Sequence, residues 1–115
     1  MKLALWNKAM RDIPEKDWKH FRSLNELIIN RFSKDTISQI SQIIASKEIE
    51  SKHEKYLKVY EYVRERDKIL DNQLRDFRRS NAKLKILEIY RMGLIKPQEF
   101  DQFSDEVKDF VNSCL

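Results

Sequence analysis

Apolar residues recur every three or four positions along most of this chain, and no apolar stretch alternates with period two. The pattern predicts helices throughout and no sheet. The first clear stripe is Trp18, Phe21, Leu24, Leu27, Ile28 and Phe32. It follows a start signal in which Asp12 caps, Pro14 suits the first turn, and Glu15 and Asp17 complement the helix dipole. Ser33-Lys34-Asp35 is expected to interrupt or kink the stripe, which resumes as Ile37, Ile40, Ile43 and Ile44. Ala45 to Ser51 reads as a turn. Ser46 or Ser51 can cap the next helix, and Glu54 stands three residues after Ser51, as a capping box requires.

From Ser51 no Gly or Pro occurs until Gly93. An unbroken helix there would run about forty residues, on the order of 60 Å. A compact domain of this length is only about 30 Å across. The helix therefore either breaks, with Ser80-Asn81 the expected place, or projects and needs a partner. A heptad reading favours the partner. Tyr56, Tyr60, Val63, Asp67, Leu70, Leu74, Phe77, Asn81 and Leu84 follow alternating steps of four and three, and only Asp67 and Asn81 are polar. These nine residues are the expected interface, with Asp67 buried in the seam and answered by an arginine. Val59, Ile69, Ile86, Ile89 and Tyr90 widen the apolar face, which suits a bundle better than a bare two-stranded coil. Gly93 is a helix stop, Leu94 and Ile95 can fold back, and Ser104-Asp105-Glu106 opens a short last helix with Val107, Phe110 and Val111 on one face.

The expected fold is thus all-α. It is an antiparallel hairpin of long helices, or helical bundle, with a short C-terminal helix, completed by self-association as a homodimer. Residues 1–9 read as an N-terminal arm or a short extra helix, and residues 10–115 as a single helical domain.

Composition narrows the chemistry. The 115 residues contain one Gly and one Cys, with 37% charged and 41% hydrophobic side chains. A single glycine excludes a P-loop, a dinucleotide fingerprint and a nucleophile elbow. A single cysteine, Cys114, excludes an internal disulfide and any site needing several cysteine ligands. No apolar run is long enough to span a bilayer, and Asn7-Lys8 ends the first apolar stretch short of a signal-peptide core. The expected setting is cytoplasmic, without a membrane partner. Net charge is +4, but residues 51–96 carry an excess of basic groups whereas residues 97–115 are acidic. The two segments can attract one another.

Two groups of residues invite a chemical reading. Arg75, Arg78, Arg79 and Lys83 would line one side of a continuous helix and could meet phosphates of nucleic acid or lipid. The competing reading is a solvated face, or one that pairs with the acidic tail. Asp17/His20 and Glu50/His53 each place a carboxylate and an imidazole three residues apart, the spacing used in metal-binding bundles. Both pairs lie at helix ends, a poor position for an inward metal site. No nucleophile with an adjacent base is evident, so no catalytic residue and no cofactor is expected.

The segments Asp12-Ile13-Pro14-Glu15-Lys16-Asp17-Trp18-Lys19, His53-Glu54-Lys55-Tyr56-Leu57, Arg64-Glu65-Arg66-Asp67 and Asp76-Phe77-Arg78-Arg79-Ser80 together resemble a family of small uncharacterised bacterial all-helical proteins. The likeness spans about residues 12–104. It implies a bacterial cytosolic setting and a helical fold, and carries over no catalytic residue. The leading functional expectation is a non-enzymatic interaction or scaffold module. The first alternative is a nucleic-acid-associated accessory protein, and the second a metal-binding bundle.

Overall fold

A computed structural model describes residues 13–75 and 77–115. The expected N-terminal arm (1–9) and the Asp12 cap lie outside the described residues. Within them the protein is all-α: α1 (Glu15–Ser23), α2 (Asn25–Ala45), α3 (Lys52–Ile69), α4 (Ala82–Arg91), α5 (Pro97–Phe100) and α6 (Asp105–Ser113). The two longest helices, α2 and α3, form the antiparallel hairpin, and α6 is the short C-terminal helix.

The first stripe is split at Leu24, where the chain turns, and not at Ser33-Lys34-Asp35, through which α2 runs unbroken. Leu24 donates its N–H back to Phe21 O and accepts from Ile28 N–H, so the two helices meet without a loop. Phe21, Leu24, Ile28 and Phe32 are buried, whereas Leu27 faces outward. Ser51 caps α3 by accepting from Glu54 N–H at 3.3 Å, as the spacing predicts.

The long second helix does not form. α3 ends at Ile69, passes into a π-turn over Leu70–Leu74, and the chain then runs through an extended Arg78 into a 3-10 turn at Arg79–Asn81. Asn81 Oδ1 accepts Arg78 N–H at 3.0 Å and closes that turn. The break therefore ends at the Ser80-Asn81 position but begins some ten residues earlier. Its cause is burial: the wider turn drives Leu74 into the core, where it is 1% exposed. α4 then packs back on the α1–α2 core through Ala82, Ile86 and Ile89.

Gly93 stops α4 at φ +75°, with Leu94 N–H bonded to Ile89 O, a helix C-terminal motif that a glycine serves without strain. Leu94 and Ile95 fold into the core, and Ser104 caps α6 by accepting from Val107 N–H. The outcome is a head built on α1, the first half of α2 and α4–α6. From it projects an arm made of the outer halves of α2 and α3. The molecule measures 58 × 29 × 22 Å.

Candidate interaction face

The nine seam residues are divided by the break at 70–81. Leu74 is buried, Phe77 packs on Phe21 with ring centroids 4.7 Å apart, and Leu84 lies against the core. These three belong to the head. Leu70 is half-buried at the root of the arm, and Asn81 serves the turn. Tyr56, Tyr60 and Val63 sit on the arm and remain 65%, 51% and 38% exposed. Asp67, expected in a buried seam beside an arginine, is exposed. The seam is thus not one edge: its second half found its partner within the chain, and its first half did not.

The exposed half has company from α2. Ile37 and Ile44, two turns apart, are 63% and 58% exposed. Ile44 lines a groove with Tyr56 and Val59 near the arm tip, and Ile37 lines another with Val63 and Leu70 near its root. The two helices therefore turn their unburied apolar side chains to the same face. Cross-helix bonds fix their register. Lys55 Nζ donates to Ile44 O at 2.8 Å, and Arg66 Nε donates to Thr36 Oγ1 at 2.9 Å. The Arg66 guanidinium also lies 3.8 Å above the Phe32 ring and ties the arm to the head. The sequence carried a signal for this face that periodicity alone missed. From Thr36 to Ser46 there is no charged residue, in a chain where 37% are charged. Depletion of charge is the feature this stretch shares with the core of an interface.

The basic cluster does not share a helix side. Arg75 follows the π-turn, Arg78 is extended, Arg79 begins the 3-10 turn, and Lys83 is in α4. Three have acidic partners: Arg75 with Asp71, Arg79 with Glu15, and Lys83 with Glu106 at 3.0 Å. Lys83 is only 1% exposed, so its ammonium is committed to the acidic tail, the pairing that the charge distribution allows.

The two carboxylate–imidazole pairs stay apart, one in the head and one at the arm tip. Asp17 is buried and accepts Ser104 N–H at 2.7 Å and the Ser104 hydroxyl at 2.6 Å, joining α1 to the start of α6. His20 contacts Glu99 O through Nε2 at 2.7 Å and packs on Phe103. Glu50 is exposed in the turn, and His53 is exposed and stacked beside Tyr56. Among the described residues no group of three or more His, Cys, Asp or Glu side chains could hold a metal ion.

One polar site that the sequence did not disclose joins α2 to α5. Arg31 donates to both Glu99 carboxylate oxygens, at 2.6 and 2.8 Å, and to Leu94 O at 2.9 Å. Glu99 also accepts Lys96 N–H. Hydrogen bonding to the Arg31 guanidinium, above all, holds the Glu99 carboxyl down at about 2. Its partners are all structural, so it acts as a clamp within the head.

No family model, curated protein or solved structure matches the chain. No helix among the described residues is long and apolar enough to cross a membrane.

Proposed function

We propose that this protein is a non-enzymatic interaction module whose arm enters a helical bundle with another helical surface, giving a homo-oligomer. The observation that carries the reading is the apolar face of the arm, where Ile37, Ile44, Tyr56, Tyr60 and Val63 stand together in the open. Large side chains gain by leaving water, and a contiguous patch of several is the mark of an interaction site. The five open residues take no part in the head's core, so they are free to serve association. The basic and metal-like residues support their alternatives less, because four of the eight, Arg79, Lys83, Asp17 and His20, are engaged in ion pairs or hydrogen bonds that hold the head together. We place the module in the bacterial cytoplasm, in line with the family resemblance and the highly charged composition.

Light scattering over a range of protein concentrations tests the reading. Wild type should rise above the monomer mass of 14.0 kDa, and the Ile44→Lys/Tyr56→Lys variant should stay at it while keeping its helix content. A wild-type mass that stays at the monomer value throughout would overturn the proposal.

A further inference from the structure

The geometry points to a second copy of this chain as the occupant of the arm's face, laid tip over root so that two arms make an antiparallel four-helix bundle. The two-fold axis of that bundle lies between the two faces, level with the point between Ile40 and Ser41 on α2 and between Val59 and Tyr60 on α3. This inference rests on reading the arm as a self-associating module, and adds the copy number and the arrangement.

Within one arm Ile44 shares a groove with Tyr56, and Ile37 with Val63. The midpoint between Ile37 and Ile44 falls between residues 40 and 41. The midpoint between Tyr56 and Val63 falls between residues 59 and 60. Because Ile44 is level with Tyr56 and Ile37 with Val63, both midpoints lie at one level of the hairpin. A two-fold axis in the plane of the face and across the helices at that level brings Ile37 of each copy to Ile44 of the partner subunit. It also brings Tyr56 to Val63 of the partner subunit. Such an isologous contact needs a surface complementary to itself, and the face has that symmetry on both helices.

Charge gives a second, independent match. Lys52 and Asp67 lie on the same side of α3 as Tyr56 and Val63, at the tip and at the root, and both are exposed. Neither takes part in an ion pair among the described residues. Their midpoint again falls between residues 59 and 60, each lying about 11 Å from it along the helix. The same axis therefore sets Lys52 of each copy against Asp67 of the partner subunit, giving two cross-copy ion pairs at the ends of the apolar strip. The charge-free run from Thr36 to Ser46 lets α2 meet its own copy without repulsion. Tip over root also keeps the two heads at opposite ends, whereas a side-by-side pairing would crowd them together.

The area is sufficient. A large side chain offers roughly 150–250 Å² when fully exposed, so the five open residues leave on the order of 500 Å² per copy. Complete coverage of these side chains on two faces would bury at most about 1,000 Å², which is where specific interfaces begin, and the flanking Ser, Lys and Asp residues add to it.

Cysteine cross-linking in the full chain, in a Cys114→Ser background, tests the arrangement. Tyr60→Cys lies beside the axis and should form a disulfide-linked dimer on oxidation. Lys52→Cys mixed with Asp67→Cys should give the mixed dimer, although these positions are about 22 Å apart along one helix. In solution Lys52→Glu should weaken self-association about tenfold by turning two attractive pairs repulsive, and Lys52→Glu/Asp67→Lys should restore it. A dimeric mass without these cross-links, or without rescue by the charge swap, would overturn the tip-over-root arrangement and leave the interaction reading standing. A monomeric mass at every concentration would overturn both.

Discussion

Replacing Glu99 with Gln removes the negative half of the clamp between α2 and α5 without changing its shape. In the native head the Glu99 side chain is 13% exposed and Arg31 22%, so solvent screens the pair only partly. The carboxyl falls from an ordinary 4.5 to about 2. At about 1.4 kcal/mol per unit this is worth about 3 kcal/mol at neutral pH, and a glutamine that keeps one hydrogen bond to Arg31 should forfeit about 2 kcal/mol of it. The sign follows from the direction of the shift. A carboxylate whose pKa is lowered by folding contributes its full stability above the unfolded value, and loses it as pH falls towards the folded one. The gap between wild type and Glu99→Gln should thus be constant from about pH 7 to 5. It should fall by about 2 kcal/mol between pH 5 and pH 3, and so close near pH 3. Urea denaturation followed by circular dichroism at each pH measures it. In an Arg31→Met background the same substitution should cost less than about 0.5 kcal/mol, since the partner is gone. A gap that stays flat down to pH 3, or that is missing at pH 7, would refute the assignment of this stability to the Arg31–Glu99 pair.

Three further substitutions probe the parts that position the arm and head. Asp17→Ala leaves the Ser104 N–H and hydroxyl without their buried acceptor and should cost about 3 kcal/mol in urea denaturation, with a loss under 1 kcal/mol counting against the bridge. Arg66→Lys keeps the charge but gives up the planar stacking on Phe32 and the paired bonds to Thr36 and Phe32 O. It should cost about 1 kcal/mol and speed amide exchange in the arm more than in the head, whereas an equal effect on both would argue that Arg66 does not tie the arm to the head. Gly93→Ala meets no atom within 4 Å but must adopt φ +75°, so a loss of about 1 kcal/mol is expected despite the open space, and an unchanged midpoint would contradict it.

What the sequence disclosed was local. The Ser51–Glu54 cap, the Gly93 stop and the Ser104 start each depend on residues a few positions apart, and all three stand where spacing puts them. The apolar stripe that became the head's core was legible for the same reason. What escaped was tertiary. The break after Ile69 has no glycine or proline to announce it; it is set by the core's demand for Leu74 and by α4 folding back. A heptad count ran straight across it and joined residues of the head to residues of the arm. Arg31 and Glu99 lie 68 residues apart, and Asp17 and Ser104 87 apart, so neither pair leaves a motif. Asp17 and His20 suggested ligands by their i, i+3 spacing, but each is turned to its own distant structural partner.

The proposed assembly requires the arm's apolar face to meet protein instead of water. Hydroxyl-radical labelling of Tyr56 and Tyr60, read by mass spectrometry across a dilution series, measures this directly. Labelling of both should fall several-fold as concentration rises through the association range, while exposed residues of the head keep a constant rate. Tyr56 and Tyr60 labelled equally fast at every concentration, at rates matching their 65% and 51% exposure in the single chain, would contradict it.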